Sequence, residues 1–209
     1  MVIGDEKIMK FFEEYIVPRI TNFVCGHKAF TRQRQKIVPL AKGRVLEIGI
    51  GTGLNLGFYD PEKVDRVWGL DPSAAMWKMA ETAGVKFDVE FLEASAEKIP
   101  LDEGSADTIL VTYTLCSVPN VIEALIDMRR VLKPCGKLIF CEHGAATDEN
   151  VRKWQDRLNP VWSKLTGGCN LNRSIPTLLE RGGFKIRAMD TMFLQVWKPA
   201  AFNYWGTAV

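Results

Sequence analysis

Short apolar runs alternate with helical patterns through most of the chain, and this alternation limits the fold more than any other feature. The first run, Arg44–Ile48, is continuous and apolar, as is typical of a strand buried on both faces. Four similar runs follow it, at Val67–Leu70, Val89–Leu92, Thr108–Thr112 and Lys137–Cys141. Helical periodicity lies between or after them, at Ser73–Ala83, Val121–Leu132 and Glu149–Leu165. Strands that alternate with helices predict βαβ units and a parallel sheet.

The two ends of the chain follow other patterns. Near the carboxyl end, a helix over Ile175–Arg181 is predicted to stop at the following glycines. Phe184–Leu194 and Phe202–Val209 then read as strands whose connection is too short for a helical crossover, so we expect an antiparallel pair. At the amino end, Ile8–Phe23 predicts an amphipathic helix with a kink or restart at Pro18. A second helix, rich in Arg, Gln and Lys, is predicted over Ala29–Leu40.

Composition excludes several classes of protein. The chain has 209 residues, 47% hydrophobic and 25% charged, which predicts one globular domain over residues 1–209. We divide it into a helical cap (1–40), a cofactor-binding half (41–145) and a substrate side (146–209). A net charge of +2 gives no support to a nucleic-acid partner.

The sequence predicts neither a membrane span nor a disulfide framework. No run approaches the roughly 18 to 20 apolar residues of a membrane span, so at most peripheral membrane contact is expected. The basic residues of the second predicted helix, Lys28, Arg32, Arg34 and Lys36, are expected to form a solvated face. The five cysteines form no CxxC pair, which argues against a disulfide framework or a zinc knuckle. We predict a reduced, cytoplasmic protein without a metal; the oligomeric state stays open.

The segment Val45–Gly53 carries the strongest chemical signal. It starts in the first predicted strand and ends where a helix is expected to begin. Gly49, Gly51 and Gly53 let the backbone approach a ligand closely and adopt dihedrals that a Cβ forbids. Their spacing is G-x-G-x-G, unlike the G-x-G-x-x-G of dinucleotide-binding loops. Glu47 precedes the loop and would repel a phosphate, so the segment favours a ligand that carries positive charge.

A second motif points to a ribose. Asp71 closes the second predicted strand, 18 residues past Gly53, where a carboxylate of a βαβ unit accepts hydrogen bonds from ribose hydroxyls. A ribose acceptor without a diphosphate site favours a nucleoside with a cationic appendage. S-adenosylmethionine, with its ribose, ammonium and sulfonium groups, has this composition.

Together with three later blocks, these motifs resemble the class I S-adenosylmethionine-dependent methyltransferases over residues 43–141. Ser95–Pro100 is similar to the family's D-A-E-x-L-P block near adenine, Ser105–Thr112 to its fourth strand, and Val131–Lys137 to its R-V-L-K-P-G-G turn. The resemblance implies a Rossmann-like, three-layer α/β fold with an N-terminal helical lid. The sheet would have seven strands in the order 3-2-1-4-5-7-6, the last one antiparallel. S-adenosylmethionine would be converted to S-adenosylhomocysteine.

The resemblance also implies a set of cofactor-binding residues: Glu47, Gly49, Gly51, Gly53, Asp71, Pro72, Ser95, Ala96, Thr112 and Tyr15. Two positions depart from the family pattern. Ser95 stands where the family often has an aspartate, although a hydroxyl still accepts one hydrogen bond. Cys135 replaces a glycine of the turn, which would be strained if that position required a positive φ.

Later blocks narrow the resemblance to the methyltransferase-like thiol S-methyltransferases. They are Leu115–Val118, Cys141–His143, Asn159–Trp162, Gly168–Arg173 and Tyr204–Ala208. This group implies a small thiol or sulfide as methyl acceptor, methylated by direct in-line displacement. Because a thiol with a pKa near 8.5 is already partly ionised at neutral pH, such a site needs little base catalysis.

His143 is the candidate catalytic residue, because it follows the fifth predicted strand at the edge where α/β sheets bind ligands. A structural histidine is the competing interpretation. Cys116, Asn170 and Arg173 are candidates for substrate binding. For the last two the alternatives are a helix cap at Asn172 and a loop salt bridge, which could pair Arg173 with Glu142. Of the tryptophans, we expect one at most to meet the substrate.

Two other functions remain open at this point. One is O- or N-methylation of another small metabolite or a lipid head group, which would require a stronger base near the methyl group. The other is S-adenosylmethionine binding without catalysis. A nicotinamide enzyme is disfavoured by Glu47 and by the glycine spacing.

Overall fold

The computed structural model describes residues 17–82 and 84–209. Its single sheet has seven strands: β1 Gly43–Ile48, β2 Val64–Asp71, β3 Asp88–Glu93, β4 Ala106–Thr112, β5 Leu132–His143, β6 Ile186–Phe193 and β7 Phe202–Ala208. They lie in the order β3-β2-β1-β4-β5-β7-β6. Strands β1 to β5 pair in parallel, and β7 is antiparallel to both neighbours. The predicted order and the antiparallel hairpin are confirmed.

Helices cover both faces of this sheet. They are α1 Val17–Cys25, α2 Lys28–Ile37, α3 Ala74–Trp77, α4 Val121–Val131, α5 Glu149–Leu165 and α6 Ile175–Arg181, with short 3₁₀ turns at Val38–Leu40, Leu56–Phe58 and Lys198–Ala200. Alternate residues of β1 enter two separate apolar clusters: Leu46 packs with α4 and α6, and Val45 packs with the end of α2. Because a buried layer lies on each face, the chain forms the predicted three-layer sandwich.

One predicted helix is absent and another is shorter than expected. No α-helix starts after Gly53; turns and the 3₁₀ segment Leu56–Phe58 follow instead, and they turn Asn55 and Tyr59 inward. The helix predicted over Ser73–Ala83 is reduced to α3, although Ser73 caps it as expected by accepting from the Met76 N–H. None of the residues of α3 is buried, so little packing supports a longer helix.

The prediction for the amino end can be compared with the structure only from residue 17 onward. Residues 1–16 lie outside the described part, and with them Tyr15 and most of the predicted helix Ile8–Phe23, so the lid remains a prediction. α2 and the 3₁₀ turn after it cover the second predicted helix. Arg34 does not belong to a solvated face: it is 4% exposed, whereas its basic neighbours on α2 are in water.

Two further expectations concern the membrane and the turn before β5. Within the described residues, no helix combines the length and apolar character needed to cross a bilayer. Cys135 lies within β5 and has no positive φ, so it carries no left-handed backbone strain. The register of β4 against β5 shifts between Ala106 and Thr108, opposite this part of β5.

Candidate active site

The glycine loop after β1 adopts the conformation that its sequence predicts. Gly49, Gly51 and Gly53 all have positive φ, at 68°, 53° and 74°. The Gly49 N–H donates to the Leu70 carbonyl (2.7 Å), and the Gly51 N–H donates to Asp71 Oδ2 (3.0 Å). The loop is thereby fixed to the end of β2, at the carboxyl edge of the sheet.

Glu47 is the buried polar centre beside this loop, with a side chain 1% exposed. Its carboxylate accepts hydrogen bonds from Asn55 Nδ2 (2.8 Å) and from the Tyr59 hydroxyl (2.6 Å). Asn55 Nδ2 also donates to Thr112 Oγ1 (3.0 Å), at the end of β4. Burial raises the pKa of Glu47 to about 7, although the bonds from Tyr59 and Asn55 and the charge of Arg34 act in the opposite direction.

A cavity of about 160 Å³ opens between these groups. Five of the predicted cofactor residues line it: Glu47, Gly49, Gly51, Asp71 and Thr112. Gly53 lines an adjoining cavity of about 620 Å³. Burial raises the pKa of Asp71, partly offset by the N–H groups of Ser73 and Gly51. The predicted residues therefore meet at the carboxyl ends of β1, β2 and β4, where open α/β sheets bind ligands.

Three further predicted cofactor residues, Pro72, Ser95 and Ala96, line neither cavity, and Tyr15 lies outside the described residues. Pro72 and Ser95 are exposed and Ala96 is buried. The Ser95 hydroxyl donates to the Glu97 carboxylate. Since a hydroxyl oxygen still has lone pairs free after donating, that bond leaves Ser95 able to accept from an amino group.

Several lining residues were not predicted from the sequence. Asn55 and Tyr59 hold Glu47, and Asn55 Oδ1 is buried without a hydrogen-bond partner within the described residues. Arg34 lines the same cavity, donates to the Cys25 carbonyl (2.6 Å) and places its guanidinium 5.4 Å from the Tyr113 ring centre. A basic residue in an Arg-rich helical stretch gives no sequence signal for this role.

The raised pKa of Glu47 leads to a prediction about stability. Because the native state favours the protonated carboxyl, its contribution is fully present below pH 4.5 and is lost as the pH rises through about 7. Glu47→Gln removes this titration. The free energy of unfolding of the variant minus that of the wild type is expected to be on the order of 3 kcal/mol larger at pH 8.5 than at pH 4.5. Urea unfolding at both pH values, without cofactor, measures the difference. Glu123→Gln, at an exposed position, serves as the control. If Glu47→Gln differs from the wild type by the same free energy of unfolding at both pH values, the prediction is wrong.

The second part of the site is a cluster of sulfur and imidazole groups behind this cavity. Ligand atoms of Cys116, His143 and Cys169 all lie within 4.8 Å of one another, and His143 Nε2 is 3.3 Å from Cys169 Sγ. The structure thus joins the predicted catalytic residue to one predicted substrate residue, Cys116. Cys169 was not predicted to act.

The electrostatics of this cluster favour a sulfur anion. The hydrogen bond from Cys116 lowers the pKa of Cys169 well below its ordinary value, with help from His143. Burial lowers the pKa of His143, but the hydrogen bond to Cys169 and the charges of Cys169 and Glu142 outweigh it, so the net shift is upward. The contact between His143 and Cys169 therefore favours the thiolate form of Cys169.

Asn170 and Arg173 connect the loops that carry the cluster. The Asn170 N–H and Nδ2 both donate to the Cys116 carbonyl, at 2.9 and 3.0 Å. Arg173 Nη1 donates to the carbonyls of Leu115 and Val118. Asn172 donates to Asp156 rather than capping α6, and Ser174 occupies the cap position. Through these hydrogen bonds, Asn170 and Arg173 connect the loop after β4 with the loop before α6.

Glu142 does not form the suggested ion pair with Arg173; no such pair exists within the described residues. Its carboxylate instead accepts from the Thr114 N–H (2.7 Å), and it is fully buried. Burial raises its pKa to about 7, against the hydrogen bonds from Thr114 and Leu115 and the charge of His143. Glu142 therefore supports the turn after β4.

Of the tryptophans, Trp162 is next to the cluster. It lies on α5 with its ring centre 5.2 Å from that of Trp197, and its buried indole nitrogen has no hydrogen-bond partner within the described residues. Its proximity contributes to the lowered pKa of Cys169. That one tryptophan at most meets the substrate stays a prediction.

Comparison of the sequence with known proteins identifies a family and relatives of this chain. The model of a methyltransferase domain matches residues 46–140. Human thiol S-methyltransferase TMT1A is 34% identical over 188 residues, which span 86% of this chain and 76% of that protein.

Two solved structures share the fold. The methyltransferase bound to the Trm112 activator of Haloferax volcanii superposes with a TM-score of 0.72 at 17% identity, covering 95% of both chains. An S-adenosylmethionine-dependent methyltransferase from Thermotoga maritima gives 0.66 at 23% identity, covering 96% of this chain and 99% of the other.

Proposed function

The chain belongs to the class I S-adenosylmethionine-dependent methyltransferases, and we propose that the acceptor it methylates is a small thiol or sulfide. The cofactor supplies an electrophilic methyl group on a sulfonium; the protein supplies binding and orientation. The observation that carries the acceptor assignment is the contact between His143 Nε2 and Cys169 Sγ (3.3 Å). A site that stabilises one sulfur anion at the edge of the sheet offers the same stabilisation to an acceptor thiolate.

The residues around the first cavity fit the cofactor. Glu47 and the unpaired Asn55 Oδ1 are buried acceptors for an ammonium group, and Asp71 keeps lone pairs for ribose hydroxyls beyond its two backbone bonds. Arg34 is the buried cation beside them and suits a carboxylate. The glycine backbone leaves the space that a Cβ would fill: at Gly51 a Cβ would lie 3.3 Å from Met76 Cε.

An acceptor enters from the side of the sulfur cluster in this proposal. His143 and Cys116 border that side, while Asn170 and Arg173 hold its loops in register. Relatives named thiol S-methyltransferases support the same class of acceptor. All five cysteines are free in the structure, in keeping with the cytoplasmic location that we propose.

A methyl-transfer assay tests the proposed acceptor. Purified protein and S-adenosylmethionine are mixed with small thiols, sulfide, phenols, amines and lipid head groups, and products are identified by mass spectrometry. We expect S-methyl products, with rates that vary with the size of the thiol. O- or N-methyl products would show that the proposed thiol acceptor is wrong, although the protein would still be a methyltransferase. Tight cofactor binding without any product would favour the binding-only function.

The ribose contact is tested separately at Asp71. Asp71→Ala is expected to weaken S-adenosylmethionine binding by about 1.5 to 3 kcal/mol, the contribution of hydrogen bonds to a charged group. Titration calorimetry measures the change. Asp88→Ala, a surface carboxylate on the neighbouring strand, is the control and should leave the affinity unchanged. An Asp71→Ala variant with wild-type affinity would rule out this contact.

A further inference from the structure

The cluster of Cys116, His143 and Cys169 contains more ligating chemistry than methyl transfer to a free thiol requires. Two sulfurs and one imidazole nitrogen face one another within 4.8 Å. Tetrahedral zinc, with bonds of about 2.3 Å to sulfur and 2.0 to 2.1 Å to nitrogen, needs its ligand atoms about 3.6 to 3.8 Å apart. We propose that these three residues bind one Zn²⁺ ion and leave its fourth position open toward the acceptor.

The ligands come from three elements that the fold fixes independently. His143 ends β5, where the neighbouring Gly144 N–H donates to the Phe202 carbonyl (3.0 Å). Cys116 and Cys169 lie on separate loops, which Asn170 joins through its two bonds to the Cys116 carbonyl. Sites whose ligands are held in place before binding lose little entropy when the metal enters.

The loop of Cys169 is held from a second direction as well. Asn159, on α5, donates to Asn170 Oδ1 (3.0 Å) and accepts from the Leu171 N–H (2.8 Å). These contacts leave the Asn170 side chain fully engaged with protein groups. Its role in this proposal is to position Cys169 and Cys116, without contact to the metal.

Charge and chemical type select zinc. Two thiolates balance the charge of a divalent cation, and a set of two Cys and one His matches catalytic zinc sites that keep one position for water or substrate. His143 Nδ1 has no hydrogen-bond partner within the described residues. A zinc-binding histidine normally gains 10- to 100-fold in affinity from such a partner, so we expect an exchangeable metal, to be measured in zinc-buffered solution.

The open position has a direct chemical use that rests on the proposed function. The loop that carries Cys116 borders the cofactor cavity, because its residues Tyr113, Thr114 and Ser117 line that cavity. An acceptor thiol that binds the metal loses its proton to solvent. Its sulfur then forms a bond to the methyl carbon while the sulfonium C–S bond breaks, and that electron pair stays on the departing thioether. The methylated acceptor is a neutral, weak ligand and dissociates.

Metal content tests the site without reference to activity. Untagged protein is equilibrated with Zn²⁺ buffer, desalted into the same buffer and analysed by mass spectrometry of the metal. We expect about one zinc per chain in the wild type, a loss of at least 10-fold in zinc affinity in Cys169→Ser and His143→Gln, and full retention in the control Cys135→Ser, whose cysteine is exposed. Wild-type protein without zinc, or Cys169→Ser with wild-type affinity, would overturn the proposal.

Further measurements separate loss of the metal site from unfolding of a variant, and separate the metal site from the identity of the acceptor. Each variant is checked for S-adenosylmethionine binding, and Co²⁺ is added to the wild type, where thiolate-to-cobalt charge-transfer absorption is expected. If chelated enzyme methylates thiols at an undiminished rate, the catalytic use of the metal is overturned and the thiol acceptor stands. If zinc-loaded enzyme methylates only oxygen or nitrogen, the acceptor assignment fails and the metal site stands.

Discussion

Gly49→Ala is expected to lower the free energy of unfolding by about 2 to 4 kcal/mol and to weaken cofactor binding by about 100-fold or more. Gly49 has a φ of 68°, a conformation that costs an L-residue roughly 1 to 2 kcal/mol. An added Cβ would also lie 2.3 Å from Thr114 Oγ1 and 2.6 Å from its methyl carbon.

Thr114 has little freedom to move away. Its hydroxyl is within hydrogen-bond distance of the carbonyls of Ile48 (3.2 Å) and Thr112 (3.1 Å), and its N–H donates to Glu142. Relief must therefore come from the loop itself, which would shift the backbone that Gly51 uses to bind Asp71. Chemical denaturation and titration calorimetry measure the two effects.

Gly104→Ala separates backbone strain from overlap. Gly104 has a comparable φ of 63°, but no atom lies within 4 Å of the position of its Cβ. We expect this variant to lose about 1 to 2 kcal/mol of stability and to bind the cofactor normally. If Gly49→Ala behaves like Gly104→Ala, contact with Thr114 does not control the loop.

The sequence predicted the part of the site that depends on one local segment. The Glu47 to Gly53 motif requires positive φ at fixed positions, and Asp71 follows at a distance set by one βαβ unit. Such requirements can be recognised in a sequence from the residue types and their spacing. The strand order followed from the family resemblance, whereas the alternation of strands and helices by itself predicted only a parallel sheet with an antiparallel hairpin at its edge.

The rest depends on contacts between distant segments. Arg34 reads as one more basic residue of an exposed helix, and only the packing of α2 against the sheet brings it to the cavity. Cys116, His143 and Cys169 are separated by more than 20 residues each and carry none of the short spacings that signal zinc sites. For the same reason, the absence of CxxC argued against a zinc knuckle, whereas the fold brings the three side chains together from two loops and the end of β5.

His143→Ala is expected to reduce the rate of thiol methylation by about 100-fold or more at pH 7, within the range of 10² to 10⁴ for loss of a group that manages a proton. As a zinc ligand or as a proton acceptor, His143 raises the fraction of acceptor present as thiolate. It does not line the cofactor cavity, so the affinity for S-adenosylmethionine should remain at the wild-type value. His27→Ala is the matched control, because His27 is exposed and caps α2 at a distance from the sulfur cluster's residues in the chain.

The pH dependence distinguishes this role from a structural one. The ionised fraction of a thiol with a pKa near 8.5 rises roughly 25-fold between pH 7 and pH 9. The variant should therefore recover much of its lost rate at pH 9, because the acceptor then ionises without the protein, whereas the wild type gains less. A rate ratio that is the same at both pH values would show that His143 supports the loops around it and takes no part in activating the acceptor.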